Sequence, residues 1–136
     1  FKLFLNKSKY KLLINDYFGE NVYESISKDI SNYYNDPYFT ISLIKYLNDN
    51  SLDYNTITIE NLINLIINNG DYTKNKFIND NVAHLIELFF YKNIKINNKI
   101  TYKLKDYFYI KLNQIKKYNL DMESYFIEFQ EKLLSE

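Results

Sequence analysis

The chain has 136 residues, 46% of them hydrophobic and 25% charged, with 17 basic and 17 acidic side chains and a formal net charge of zero. That balance belongs to the globular class and not the disordered one, and the length suits a single domain that buries a core without metals or crosslinks. Cysteine is absent, which excludes disulfides, thiolate metal sites and cysteine catalysis together and favours an intracellular or organellar compartment.

Every basic residue is a lysine, Ala83 is the only alanine and Pro37 the only proline, while Asn, Ile, Lys and Tyr recur throughout. This is the vocabulary of an AT-rich genome, so the aromatic richness reads first as core filler, with Tyr and Phe standing in for Leu and Ala. No apolar run approaches the roughly 18 to 20 residues of a membrane span. The longest, near Leu85 to Phe90, is broken by Glu87, so a soluble protein is expected. Because the sequence opens on Phe1 and not on Met, a processed form or a fragment of a longer chain is expected.

In chain order, Phe1 to Leu5 is an apolar run compatible with a helix end or a strand. From Ser8, Tyr10, Leu13, Ile14, Tyr17 and Phe18 recur at helical spacing, and Gly19 supplies a left-handed stop. A second helix is predicted over about Asn21 to Tyr34, with Val22, Ile26, Ile30 and Tyr33 inward. Asn35-Asp36-Pro37 is the clearest helix start, an aspartate cap followed by proline in the first turn, and that helix runs to about Asn48. After a polar connector, Thr56 or Thr58 caps a helix with Ile59, Leu62, Ile63, Leu65 and Ile66 inward, which Asn69-Gly70 closes.

Asp71 to Asn75 reads as a loop, and Lys76 to about Tyr91 as the most apolar helix, with Ile78, Val82, Leu85, Ile86 and Phe89 in one stripe. Asn93 to Asn98 is expected to turn the chain, with Ile94 and Ile96 alternating as a short extended segment. A helix over about Ile100 to Tyr118 comes next, with Leu104, Tyr107, Phe108, Ile115 and Tyr118 inward. Asp121 caps a last helix that carries Met122, Tyr125, Phe126, Phe129 and Leu133. About seven helices with short connectors predict an all-α domain. Leu43, Ile44 and Leu47 are echoed by Leu85, Ile86 and Phe89, and Leu62, Leu65 and Ile66 by Leu104, Tyr107 and Phe108. The echo predicts tandem helical hairpins in a solenoid-like repeat, with an irregular or Bcl-2-like helical bundle as the alternative.

Signatures of chemistry are missing. His84 is the only histidine, and Glu87 is its only nearby candidate partner, too little for a general base or a metal site. Two glycines cannot make a phosphate loop, and no serine lies in a nucleophile motif. No catalytic residue, metal ligand or cofactor is therefore assigned, and no small-molecule substrate is evident.

Charge is polarised instead. Between Tyr91 and Asn119 stand Lys92, Lys95, Lys99, Lys103, Lys105, Lys111, Lys116 and Lys117 against the single acid Asp106, while Asp121, Glu123, Glu128, Glu131 and Glu136 come after. On the helix over about Ile100 to Tyr118, Lys105, Tyr109 and Lys116 fall along one flank, and Lys99, Lys103 and Lys117 along the other. These six are the candidate RNA-binding residues, lysine neutralising phosphate while an exposed Tyr102 or Tyr109 stacks on bases. A solvated face balanced by the acidic tail would produce the same pattern.

The stretch LIKYLNDNSLDYNTITIENLINLI, with its echo LIELFFYKNIKINNKITYKLKDYF, resembles the degenerate helix-turn-helix repeats of organellar proteins in AT-rich apicomplexan parasites. Pentatricopeptide-like, heptatricopeptide-like and RAP-type proteins make up that group. The resemblance covers roughly Pro37 to Tyr118 and consists of spacing and hydrophobicity. It implies a mitochondrial or plastid protein that binds RNA or sits as an accessory subunit in a ribosome; the period is longer than a pentatricopeptide, and no RAP module is visible. The expected function is a non-catalytic scaffold in a larger assembly, contacting protein and RNA. The rivals are a free-standing RNA-binding module and a viral Bcl-2-like decoy built round Asn81 to Phe90, although a BH1-like Asn-Trp-Gly-Arg stretch is lacking.

Overall fold

A computed structural model describes residues 7–31, 36–96 and 99–134. The run at Phe1 to Leu5, the expected helix end at Tyr33 and Tyr34, and Asn97 and Asn98 lie outside the described residues. Among the described residues every regular element is helical, which makes the chain all-α. The helices are α1 (Lys7–Phe18), α2 (Lys28–Ser31), α3 (Pro37–Asp49), α4 (Ile59–Asn69), α5 (Asp71–Lys74), α6 (Lys76–Ile96), α7 (Tyr102–Tyr118) and α8 (Glu123–Phe129), with a 3-10 turn at Tyr23–Ser25 and a π turn at Gln130–Leu134. None of them is long and apolar enough to cross a membrane. The chain divides into two compact units, Phe1–Thr58 and Ile59–Glu136.

In the first unit α1 packs on α3. Tyr10, Ile14 and Phe18 turn inward, whereas Leu13 and Tyr17 of the predicted stripe are exposed. The Tyr10 and Thr40 hydroxyls hydrogen-bond each other across the two helices, which accounts for a threonine buried in α3. Gly19 ends α1 with φ +70°, as predicted. The single helix expected over Asn21 to Tyr34 is instead a 3-10 turn, an extended Ile26 and the four-residue α2. Ser27 causes the break: its hydroxyl donates to the Ile57 carbonyl at 2.6 Å, its N–H donates to the Tyr54 carbonyl at 2.9 Å, and its Oγ accepts the Asp29 N–H at 3.3 Å. A serine that bonds backbone on both sides offers the chain an alternative to continuous helix, and here it also caps α2.

The Asp36 carboxylate accepts the N–H groups of Tyr38 at 2.7 Å and Phe39 at 3.2 Å, with Pro37 in the first turn, so α3 begins as expected. It ends in a reversal in which Ser51 takes φ +59° and the Leu52 N–H returns to the Leu47 carbonyl at 2.8 Å.

In the second unit α4, α5, α7 and α8 gather round α6. The α6 helix packs against α4, α5 and α7, and the Phe89 and Phe129 rings join it to α8 with centroids 5.1 Å apart. Phe108 completes the cluster, 5.2 Å from Phe129 and 5.6 Å from Tyr125. Aromatic pairs at these spacings, mostly edge to face, carry burial and directional attraction together. After the last helix, Gln130 Nε2 donates to Asn64 Oδ1 on α4 at 3.1 Å, so the end of this unit closes on its beginning.

Three local expectations change here. Asp71 to Lys74 is a helical turn and not a loop: Gly70 enters it with φ +69°, and the buried Tyr72 stacks on Phe126 at 4.6 Å. The turn expected from Asn93 is absent through Ile96, because α6 continues. Asn93 Nδ2 donates to the Phe89 carbonyl at 2.9 Å and to Glu60 Oε1 at 3.0 Å, and Lys92 Nζ reaches Glu60 Oε2 at 2.9 Å. Tyr107 and Tyr118, expected inward, are exposed, and the buried stripe of α7 is Phe108, Leu112 and Ile115. The echo is matched in burial only in its first half: Leu43, Ile44, Leu47 and Leu85, Ile86, Phe89 are all buried, whereas in the second half Leu62 is buried against a half-buried Leu104, and a half-buried Leu65 stands against an exposed Tyr107. The echo does not match the division of the chain, which falls between the two helices of the first copy.

Candidate nucleic-acid interface

The predicted site residues lie on α7 and just ahead of it. Thr101 starts the helix by accepting the Leu104 N–H at 3.3 Å, and Lys116 and Lys117 in the last turn face the negative end of the helix dipole. With Phe108, Leu112 and Ile115 buried, the opposite face meets solvent. Tyr102 is 68% and Tyr118 62% exposed, with Lys103, Asp106, Ile110 and Lys117 exposed as well.

Of the six candidates, Lys99 stands exposed in the turn before Thr101, and Lys103, Lys116 and Lys117 are exposed on α7. Lys105 is half-buried between two rings, its Nζ 6.0 Å from the Tyr102 centroid and 5.3 Å from that of Tyr109. Lys117 Nζ lies 5.4 Å from the Tyr118 centroid. Cations over ring faces hold the aromatic side chains in place while keeping their charge near the surface.

Tyr109 is a correction. Its ring meets Phe90 edge to face at 5.9 Å, and its hydroxyl is buried with no hydrogen-bond partner among the described residues. Burial, and after it the carboxylate of Glu87, pushes its pKa up to about 12. Tyr109 is therefore part of the core edge, and the exposed rings of α7 are Tyr102, Tyr107 and Tyr118.

The lysine row is also thinner than it reads. Lys92 pairs with Glu60, and Lys111 pairs with Glu128 at 3.2 Å. Lys111 and Lys132 lie 5.6 and 5.0 Å from the Tyr107 centroid. The Tyr107 hydroxyl, and beside it Lys111 and Lys132, hold the Glu128 carboxyl below its usual range. Among the described residues Lys95 at the end of α6 and Lys103, Lys105, Lys116 and Lys117 on α7 have no carboxylate partner, so the last four carry the available charge of α7.

A cleft that no motif announced opens at the end of α7. Asn119 turns left-handed (φ 52°, ψ 46°), and the Leu120 N–H returns to the Ile115 carbonyl at 2.9 Å. The resulting hollow, about 520 Å³, is lined by Asn79 and Asp80 of α6, by Ile115 and Lys116 of α7, and by Asn119 and Asp121 beyond it. Only the Asn119-Leu120-Asp121 stretch after the helical period hinted at a reversal there. His84 is half-buried on α6, and no group of three or more metal-ligating side chains is found among the described residues. No protein-family model, curated protein or solved structure matches this chain.

Proposed function

We propose that this chain is a non-catalytic helical module, an accessory subunit of a larger assembly, that holds RNA along α7. The observation that carries the reading is the solvent side of that helix, where exposed Lys103, Lys116 and Lys117 and half-buried Lys105 lack carboxylate partners among the described residues and stand between the exposed rings of Tyr102 and Tyr118 at its two ends. Ammonium groups neutralise phosphates and aromatic faces stack on unpaired bases, which together suit a single strand better than a duplex. The apolar Ile110 and Leu120, also exposed, support protein contact at the same surface. An organellar ribosome is the kind of assembly, and a mitochondrion the compartment, that the sequence resemblance implies.

Binding of a labelled single-stranded RNA, followed by fluorescence anisotropy across salt, tests this. Four phosphate contacts predict a log-log slope of about −3. Lys105→Glu with Lys116→Glu is expected to abolish binding while leaving the far-ultraviolet circular dichroism unchanged. No binding at low salt, or binding indifferent to salt, refutes the reading.

A further inference from the structure

We infer that the cleft at the end of α7 receives one nucleobase of the strand held along that helix, and that it prefers a base rich in hydrogen-bond donors, guanine before uracil. The inference rests on the reading of α7 as an RNA-binding face and adds to it a site and a selectivity.

Tyr102, Lys105 and Lys116 lie within about 60° of one another around the helix, with a rise of about 16 Å between the two lysines. Lys116 belongs both to this flank and to the cleft wall. A strand tracking the flank by its phosphates is thereby led to the mouth of the cleft.

A hollow of about 520 Å³ falls within the range of small-molecule sites. Ile115 is buried and Met122 half-buried, which gives the cleft apolar surface against which a base can lie. Apart from Lys116 and Asn119, which bring donors, the polar lining offers acceptors. Asn79 commits its Nδ2 to the Tyr72 carbonyl at 2.8 Å, which leaves its Oδ1 as an acceptor. Asp121 accepts the Glu123 N–H through Oδ1 at 3.0 Å and keeps its second oxygen.

Asp80 completes the set, with Lys76 Nζ 2.8 Å away to offset its charge toward a polyanion. Guanine presents N1–H and an amino group side by side, the pattern a carboxylate accepts from; uracil presents one N–H between two carbonyl oxygens that a carboxylate repels.

The test uses the 136-residue chain and two labelled uridine decamers, one of them with a single central guanosine, compared by anisotropy at low salt. The guanosine strand is expected to bind about tenfold tighter. Asp121→Asn keeps an oxygen for the Glu123 N–H and is expected to shrink the gap to about twofold while the all-uridine strand binds at least as well. Asp80→Asn, at an exposed side chain, is the second variant and is expected to act in the same direction. If neither strand binds, the RNA reading itself falls. If both bind alike with steep salt dependence, that reading stands and the cleft assignment is overturned. Binding of a labelled oligolysine to the RNA-free protein, lost in Asp80→Asn and Asp121→Asn, would overturn it too by giving the cleft to a basic peptide.

Discussion

Asn93→Ala probes what keeps α6 helical past the point where its sequence turns polar. Asn93 is 6% exposed, and its side chain makes two hydrogen bonds, to a helix carbonyl and to the Glu60 carboxylate. The first is worth about 1 kcal/mol, and the charge-assisted second about 1.5 kcal/mol, the low end because Glu60 is 30% exposed and water can replace part of the loss. Alanine recovers about 0.5 kcal/mol through its better helix propensity. The expected cost is about 2 kcal/mol, seen as a lower urea midpoint at unchanged slope in the circular dichroism of the full chain.

Glu60→Gln is the companion variant. It preserves an acceptor for Asn93, though a neutral one, and removes the partly exposed pair with Lys92, so its expected cost is about 1 kcal/mol. Hydrogen exchange at Ile94 and Lys95 is expected to quicken in Asn93→Ala and much less in Glu60→Gln. If Asn93→Ala stays within about 0.5 kcal/mol of the parent, or if Glu60→Gln costs more than it does, the end of α6 is held by something other than this amide.

Three further outcomes are expected. Ser51→Gly relieves a left-handed residue at φ +59° and should stabilise the chain by about 0.5–1 kcal/mol, read as a higher urea midpoint. Glu128 has a folded pKa below its ordinary 4.5, so its contribution is complete above that value and is lost as pH falls through the lower folded one. Between about pH 5 and about pH 3 the stability of the parent should therefore fall more steeply than that of Glu128→Gln, measured by urea midpoints at each pH. Tetranitromethane should nitrate Tyr102 and Tyr118 well before Tyr109 and Tyr125, whose hydroxyls are buried, as peptide mapping by mass spectrometry can establish.

What the sequence disclosed depended on how local each cause is. Helix boundaries set by neighbours in the chain were legible: Asp36 with Pro37, and the left-handed glycines at positions 19 and 70, act within a few residues of themselves. Boundaries set from a distance were not. Ser27 breaks a helix by reaching Ile57, and Asn93 prolongs one by reaching Glu60, and neither partner is marked by any spacing.

The candidate site divides in the same way. Helical period put Lys105, Tyr109 and Lys116 on one flank, but only the packing against Phe90 half-buries Tyr109 and takes its hydroxyl out of water. Only the placement of Glu128 removes Lys111 from the free charge. Tyrosine compounds the difficulty, because a residue with an apolar ring and a polar tip fits the stripe or its rim equally well, as Tyr107 and Tyr118 demonstrate. The cleft is a property of a chain reversal brought beside α6, and no single stretch of sequence contains it.

The hydrogen bond from Gln130 to Asn64 joins positions 66 residues apart. A closure over so long a loop is slow to form, and it cannot form at all during synthesis until the later partner has left the exit tunnel. Until then α6 and α7 emerge with the side of Phe89, Phe90 and Phe108 that Phe129 will cover still open to water. The second unit is thus completed from its far end, and its nascent form is the state in which chaperones would meet those rings.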